Sequence, residues 1–256
     1  MIKYPKKINK ADYSENIKNP KTFYGLNPKI EFCSKCTYSN QKPTTEKEYN
    51  HKINTKKSTL TIENNVCRAC KVLNEKKNTD WSKRKKLLKK ICNKYRNKDG
   101  TYDCIVPGSG GKDSFYASYI LKYEFGMNPL TVTWAPHIYT SWGWKNFNSW
   151  IHSGFDNYLF TPNGRTHRLL SRLSLENLFH PFQPFIMGQY YFPARIAAKF
   201  KIPLVFYGDT NAEFGHKEDF SNPQRNLHFF TTNNTSNIHI GGTSLKDLKK
   251  NFKLKQ

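Results

Sequence analysis

The sequence predicts an α/β chain in which a small four-cysteine module precedes a parallel-sheet domain. Three observations predict it. Two Cys-x-x-Cys pairs, FCSKC (Cys33, Cys36) and VCRAC (Cys67, Cys70), stand in the first third of the chain. Beyond Gly100, short apolar runs alternate with stretches of helical periodicity. The first of those runs leads into a glycine loop, PGSGGKDS. A length of 256 residues suits one fair-sized domain with an appendage, since domains run about 100–200 residues.

Charge narrows the classes of partner. The net charge is +23, of which residues 1–100 carry +17 and residues 101–256 carry +6. A basic excess of this size can mark a nucleic-acid binder. Only eight of the 42 cationic residues are arginine, the better bidentate reader of phosphates and base edges. Lysine and asparagine enrichment is therefore the simpler account, and nucleic acid is not the expected partner. No segment approaches the roughly 20 consecutive apolar residues of a membrane span, and the opening MIKYPKKINKADYSENIK has no apolar signal core. A cytoplasmic protein with no membrane partner is expected.

Residues 1–29 read as a polar N-terminal extension and residues 30–79 as a zinc-ribbon-like module. Each Cys-x-x-Cys turn points two thiolates at one ion at about 2.3 Å, and two such turns close a tetrahedral four-cysteine site. In a lysine-rich segment short of apolar residues, ligation supplies folding free energy that a core cannot, on the order of 10 kcal/mol in zinc-finger peptides. Disulfides are disfavoured in a reducing compartment. Structural Zn²⁺ is the expectation, with an iron–sulfur cluster left open by the ligand set. The polar stretch between Cys36 and Cys67 reads as an extended loop or short hairpin. Residues 80–100 form a connector helix: DWSKRKKLLKKICNKYR puts Leu87, Leu88, Ile91, Cys92 and Tyr95 on one stripe, with lysines on the solvated face.

Farther on, the runs 102–106, 130–134, 158–160 and 203–207 read as strands, and helices are expected near 114–124, 145–153, 165–179 and 189–200. Strands separated by helices make a parallel sheet, whose ligands bind beyond the carboxyl ends of the strands. PGSGGKDS lies at the first of those ends. It is not a Walker loop, which needs glycine where Val106 stands and a hydroxyl residue where Asp113 stands; a dinucleotide fingerprint from Gly108 needs glycine at position 113. Its local physics still suits an anion. Gly110 and Gly111 let the backbone approach, the following helix adds its N-terminal dipole, Ser109 and Ser114 offer hydroxyls, and Lys112 adds a mobile charge. Asp113 is repulsive beside an anion unless it caps the helix or meets a cation such as Mg²⁺.

The strand, SGGKDS, helix pattern resembles the PP-loop of the ATP pyrophosphatases. The order of the two CxxC pairs, DWxxR (Asp80, Trp81, Arg84), YDCIVPGSGGKDS, NPLTVTW, GWKNFNSWIHSGFD and IPLVFYGDTNAEFGH is similar, over residues 30–245, to the N-acetyl sugar amidotransferases of lipopolysaccharide and O-antigen biosynthesis, including acetamidino sugars of the pseudaminic-acid type. The resemblance implies an adenine-nucleotide alpha-hydrolase-like domain over residues 101–256. It also implies an ATP-dependent amidotransferase: the acetamido oxygen of a nucleotide-linked or acidic N-acetylated sugar attacks the α-phosphate of ATP, and pyrophosphate leaves. Ammonia from a separate glutaminase partner then expels AMP. The protein's share of that chemistry is positioning and charge stabilisation.

On that resemblance Ser109, Gly110, Gly111, Lys112, Asp113 and Ser114 hold pyrophosphate, with Asp113 also on Mg²⁺, and Lys112, Asp113 and Glu213 are the implied catalytic residues. Thr133 and Trp134 lie where adenosine rests. Gly208 and Asp209 follow the last strand and, with Glu213, face the same crevice. Arg165, His167 and Arg168 either clamp a sugar-nucleotide phosphate or sit on an ordinary basic helix face. Members usually continue past IGGTSLKDLKK, so the domain is expected to be short on its C-terminal side. Two rival readings stay open: a tRNA-modifying PP-loop enzyme, lysidine-type ligase or thiolase, and a non-catalytic nucleotide-binding partner. Against the thiolase, no cysteine follows Cys104.

Overall fold

The computed structural model describes residues 29–42, 52, 60–215 and 238–254. The N-terminal extension up to residue 28, most of the polar stretch between the cysteine pairs, and His216 of the YGDTNAEFGH motif lie outside the described residues. The chain is mixed α/β. Strands β1 (Ile62–Glu63) and β2 (Val66–Cys67) form an antiparallel hairpin whose turn residues, Asn64 and Asn65, are both left-handed (φ 53° and 61°), a conformation asparagine tolerates. The hairpin feeds α1 (Arg68–Lys77), and α2 (Trp81–Tyr95) follows. Asp80 caps α2, its carboxylate accepting from the Lys83 N–H at 2.9 Å. The packed stripe of α2 runs through Arg84, Leu88, Ile91, Cys92 and Tyr95. Leu87, expected on it, is exposed, because it lies about 100° round the helix from Leu88.

Strands β3 (Cys104–Pro107), β4 (Pro129–Trp134) and β5 (Asn157–Phe160) make a parallel sheet in the order β3-β4-β5. The expected fourth strand is reduced to one parallel bridge, Ile105 to Val205, on the free side of β3. There Ile105 N donates to Leu204 O and Phe206 N to Ile105 O, both at 2.8 Å. The chain thus winds outward from β3 to β5 and then returns to the other side of β3. This reversal opens a crevice at the carboxyl ends of β3 and the 203–207 segment.

The crossovers are α3 (Lys112–Tyr119), prolonged by a π-helical turn (Ile120–Glu124), then α4 (Ser141–His152), α5 (Gly164–Leu178) and α6 (Gln183–Phe200). Alternation along β3 divides the core between two faces: Cys104 and Val106 pack with Leu121, Phe147 and Trp150, while Ile105 packs with Leu130, Val132, Phe192 and Ile196. Trp150 is fully buried and its indole N–H donates to Ser118 Oγ at 2.7 Å. Buried Asp103 accepts the backbone N–H groups of Asn97 and Asn128, tying the end of α2 and the approach to β4 to the start of β3. A 3₁₀ turn (Asn211–Phe214) follows the crevice. Strands β6 (His239–Ile240) and β7 (Thr243–Ser244) and helix α7 (Leu245–Phe252) close against α5 through Leu169, Leu173, Leu248 and Phe252. Among the described residues no helix is long and apolar enough to cross a membrane.

Candidate functional site

The loop between β3 and α3 is shaped by its glycines. Gly110 has φ +80°, and a Cβ there would lie 2.7 Å from the Asn146 carbonyl oxygen of α4; only glycine fits both constraints. The loop leaves the backbone N–H groups of residues 109–114 without an acceptor among the described residues. Six donors without an acceptor therefore stand at the positive end of α3. Ser114 is buried and its hydroxyl donates to the Gly111 carbonyl at 3.1 Å. Asp113 caps nothing, since the N-cap is Gly111 and has no side-chain cap bond. The cation it meets is Lys112, Nζ to Oδ1 at 2.6 Å, on side chains 89% and 58% exposed. That carboxylate, with Glu213 as a weaker neighbour, raises the Lys112 pKa.

Across the crevice, Gly208 sits against the start of α3: a Cβ there would lie 2.6 Å from the Asp113 carbonyl oxygen and 3.1 Å from Ser114 N. The enclosed volume is ≈ 200 Å³, walled by the loop, by Trp134, by Gln189, Tyr190 and Pro193 of α6, and by Tyr207, Gly208 and Asp209. Tyr190 and Tyr207 stack at 5.1 Å and 15°. Pro193 has no N–H, so the Gln189 carbonyl lacks its intrahelical donor beside the crevice.

Of the residues singled out in the sequence, Ser109, Gly111, Asp113, Ser114, Trp134, Gly208 and Asp209 are brought together on this crevice. Gly110 shapes the loop from behind and Lys112 projects from its rim. Thr133 lies beneath, fully buried, its hydroxyl accepting from Asn157 Nδ2 at 3.0 Å. Glu213 turns to Lys76 of α1 at 2.6 Å. Arg165 and Arg168 are exposed, whereas His167 is buried. Gln189, Tyr190, Pro193 and Tyr207 are additions that no local motif marks, because their place depends on how α6 packs across β3 and β4.

The second candidate is a metal centre. The sulfurs of Cys33, Cys36, Cys67 and Cys70 all lie within 4.8 Å of one another, with Cys33–Cys70 at 3.9 Å and Cys36–Cys67 at 3.6 Å. A tetrahedron of thiolates about 2.3 Å from one ion has edges of about 3.8 Å, so the four residues fit such an ion. All four thiols are free of disulfides. Desolvation works to raise the Cys33 thiol, but the N–H groups of Cys67 and Lys35, at 3.2 and 3.3 Å from its sulfur, and that of Cys36 outweigh it and hold Cys33 at about 6. Desolvation and the neighbouring sulfurs push Cys70 up to about 12. Cys67 is raised as well, chiefly by desolvation, and a bound cation would displace the protons that Cys67 and Cys70 hold.

The module docks directly behind the crevice. Val72 of α1 and Ala212 are both fully buried and form one apolar contact. A Cβ at Gly215 would meet Leu60 and Ala69, and Lys42 Nζ donates to the Phe214 carbonyl at 3.2 Å.

No protein-family model matches the sequence. The chain is similar to an uncharacterized protein, MJ1599, of Methanocaldococcus jannaschii, with 42% identity over 53 residues. That segment is 21% of this chain and 19% of the archaeal protein, so the chain spans about a fifth of the length of the curated relative it matches.

Proposed function

We propose that the crevice takes the phosphates of ATP and that the chain is a PP-loop, ATP-dependent amidotransferase acting on an N-acetylated sugar. The observation that carries this reading is the row of six free backbone donors at residues 109–114, set at the carboxyl end of β3 where the winding reverses. Gly208 allows the opposite wall to close on them. Asp113 and Asp209 supply the carboxylates to hold Mg²⁺, and Lys112, already on the rim, swings from Asp113 to the phosphates. The crevice encloses room for the phosphate end, and Trp134, Gln189 and Tyr190 border the space left for adenosine.

In the reaction the acetamido oxygen attacks the α-phosphorus, the bond from that phosphorus to the bridging oxygen of the β-phosphate breaks, and pyrophosphate departs. Ammonia nitrogen then attacks the former carbonyl carbon, the carbon–oxygen bond breaks, AMP leaves with that oxygen, and the nitrogen sheds its surplus protons to solvent. The loop's donors and Lys112 stabilise charge at the phosphates. The four-cysteine module serves as a structural Zn²⁺ centre. A sulfur-transfer rival finds no support in the sheet, where Cys104 is fully buried and burial, with Asp103 beside it, pushes its thiol up to about 12.

The test incubates the protein with Mg-ATP, ammonium and UDP- or CMP-linked N-acetyl sugars. AMP and pyrophosphate, with one oxygen of the sugar replaced by NH, are expected. Cleavage to ADP overturns the mechanism.

A further inference from the structure

Beyond Trp134 lies a second and larger cavity, ≈ 850 Å³, between α5, α6 and the β5 edge, within the range of about 300–1,000 Å³ of small-molecule sites. Its walls are apolar, built from the rings of Tyr158, Phe160 and Phe192 with Leu170, Met187 and Ile196. Among the described residues no aspartate or glutamate lines it. The cations that do are Arg195 and Lys199, one turn apart on α6, and neither has a carboxylate partner among the described residues. Pro162, Asn163 and Thr166 bring the N-terminus of α5 to the same cavity, adding positive potential. His167 also lines it, is 8% exposed, and its Nε2 has no hydrogen-bond partner.

An apolar chamber whose cationic edge has no carboxylate partner among the described residues suits one chemical class. Water in contact with these rings gains little, a neutral hydrocarbon leaves the cations unmatched, and a hydrophilic polyol leaves the rings unmatched. We propose that the cavity binds an anionic amphiphile, its apolar body among the aromatic rings and a single carboxylate or phosphate at Arg195 and Lys199. Trp134 is a wall of this cavity and of the crevice alike. Its indole stacks on Phe160 at 5.0 Å and lies against the bare backbone of Gly188. Resting on the reading of the crevice as an ATP site, the amphiphile is the acceptor: its reacting end passes Trp134 while the apolar, anionic remainder is held here. The acceptor is thereby an N-acetylated sugar joined to a substantial apolar group, for which the UDP- and CMP-linked sugars of the activity test are soluble stand-ins.

The experiment titrates the full chain calorimetrically, without nucleotide, with laurate, dodecyl phosphate and dodecanol below their aggregation limits. One anionic molecule per chain is expected, about tenfold tighter than dodecanol, and about tenfold weaker in Arg195→Ala/Lys199→Ala. The tighter of the two anionic arms identifies the head group. Thr166→Trp, which fills the chamber from α5, abolishes binding. Equal affinity for dodecanol, or unchanged binding in the Arg195/Lys199 variant, overturns the proposal; those two side chains are exposed, so that variant keeps its fold. A failed titration leaves the ATP reading standing, and a crevice that takes no ATP leaves the titration unchanged.

Discussion

The ammonium of Lys76 in α1 lies 2.6 Å from the carboxylate of Glu213 in the turn that follows the crevice. Both side chains are about one-third exposed (35% and 39%), so solvent screens the pair to about 0.2–1 kcal/mol. The fully buried contact of Val72 with Ala212 beneath it is the stronger link. Val72→Ala is expected to cost about 2 kcal/mol in urea unfolding and Lys76→Ala less than half of that. Equal costs would move the docking energy to the ion pair.

The four-cysteine cluster predicts one metal ion per chain. Cobalt substitution should give tetrahedral d–d and thiolate charge-transfer bands, and Cys70→Ser should abolish them and lower the thermal midpoint of the module, since ligation supplies on the order of 10 kcal/mol in small zinc domains. Broad visible absorption bleached by dithionite in the isolated protein would assign the cluster to iron and sulfide instead.

In the crevice, two substitutions separate charge from shape. Lys112→Ala removes an exposed side chain, so unfolding should be unchanged while ATP affinity falls about tenfold or more, the loss of a charge-assisted hydrogen bond. Gly208→Ala forces the wall away from Asp113 and should weaken ATP binding comparably with full metal content. Equilibrium dialysis reads both, and undiminished binding in Lys112→Ala would remove that residue from the site.

Acid should destabilise the fold through His167. Burial, reinforced by His137 with ring centroids 4.1 Å apart, lowers its pKa below the ordinary value. As the pH falls below about 6.5 the unfolded chain takes up this proton first. Stability present above that pH is therefore lost toward the lower folded-state pKa, by up to about 1.4 kcal/mol per pH unit. Thermal midpoints at pH 7.5 and 5.5 should differ more for the parent than for His167→Leu; equal differences would place the acid sensitivity elsewhere.

What was legible in the sequence is what local spacing decides. The cysteine pairs come together because two tight turns aim their own sulfurs, Asp80 begins α2 through its own cap, and the strands lie within a residue or two of the expected runs. The fourth strand is the exception, because a lone bridge to Ile105 needs no periodicity of its own. The start of α6 at Gln183 escaped as well: Pro184 sits in its first turn, where a missing N–H costs nothing. Nor could spacing show that Glu213 pairs with a residue 137 positions away, or that His167 is buried while Arg165 and Arg168 beside it are exposed.

Gly208 and the Asp113–Ser114 peptide are neighbours in space but stand about 95 residues apart along the chain. Their separation is smaller than a methyl group permits, so neither can drift alone over evolutionary time. In any descendant or relative of this chain, a side chain at 208 should be accompanied by a displaced or rewritten 109–114 loop. Paired change at these two places is the trace that this crevice would leave in a set of aligned sequences.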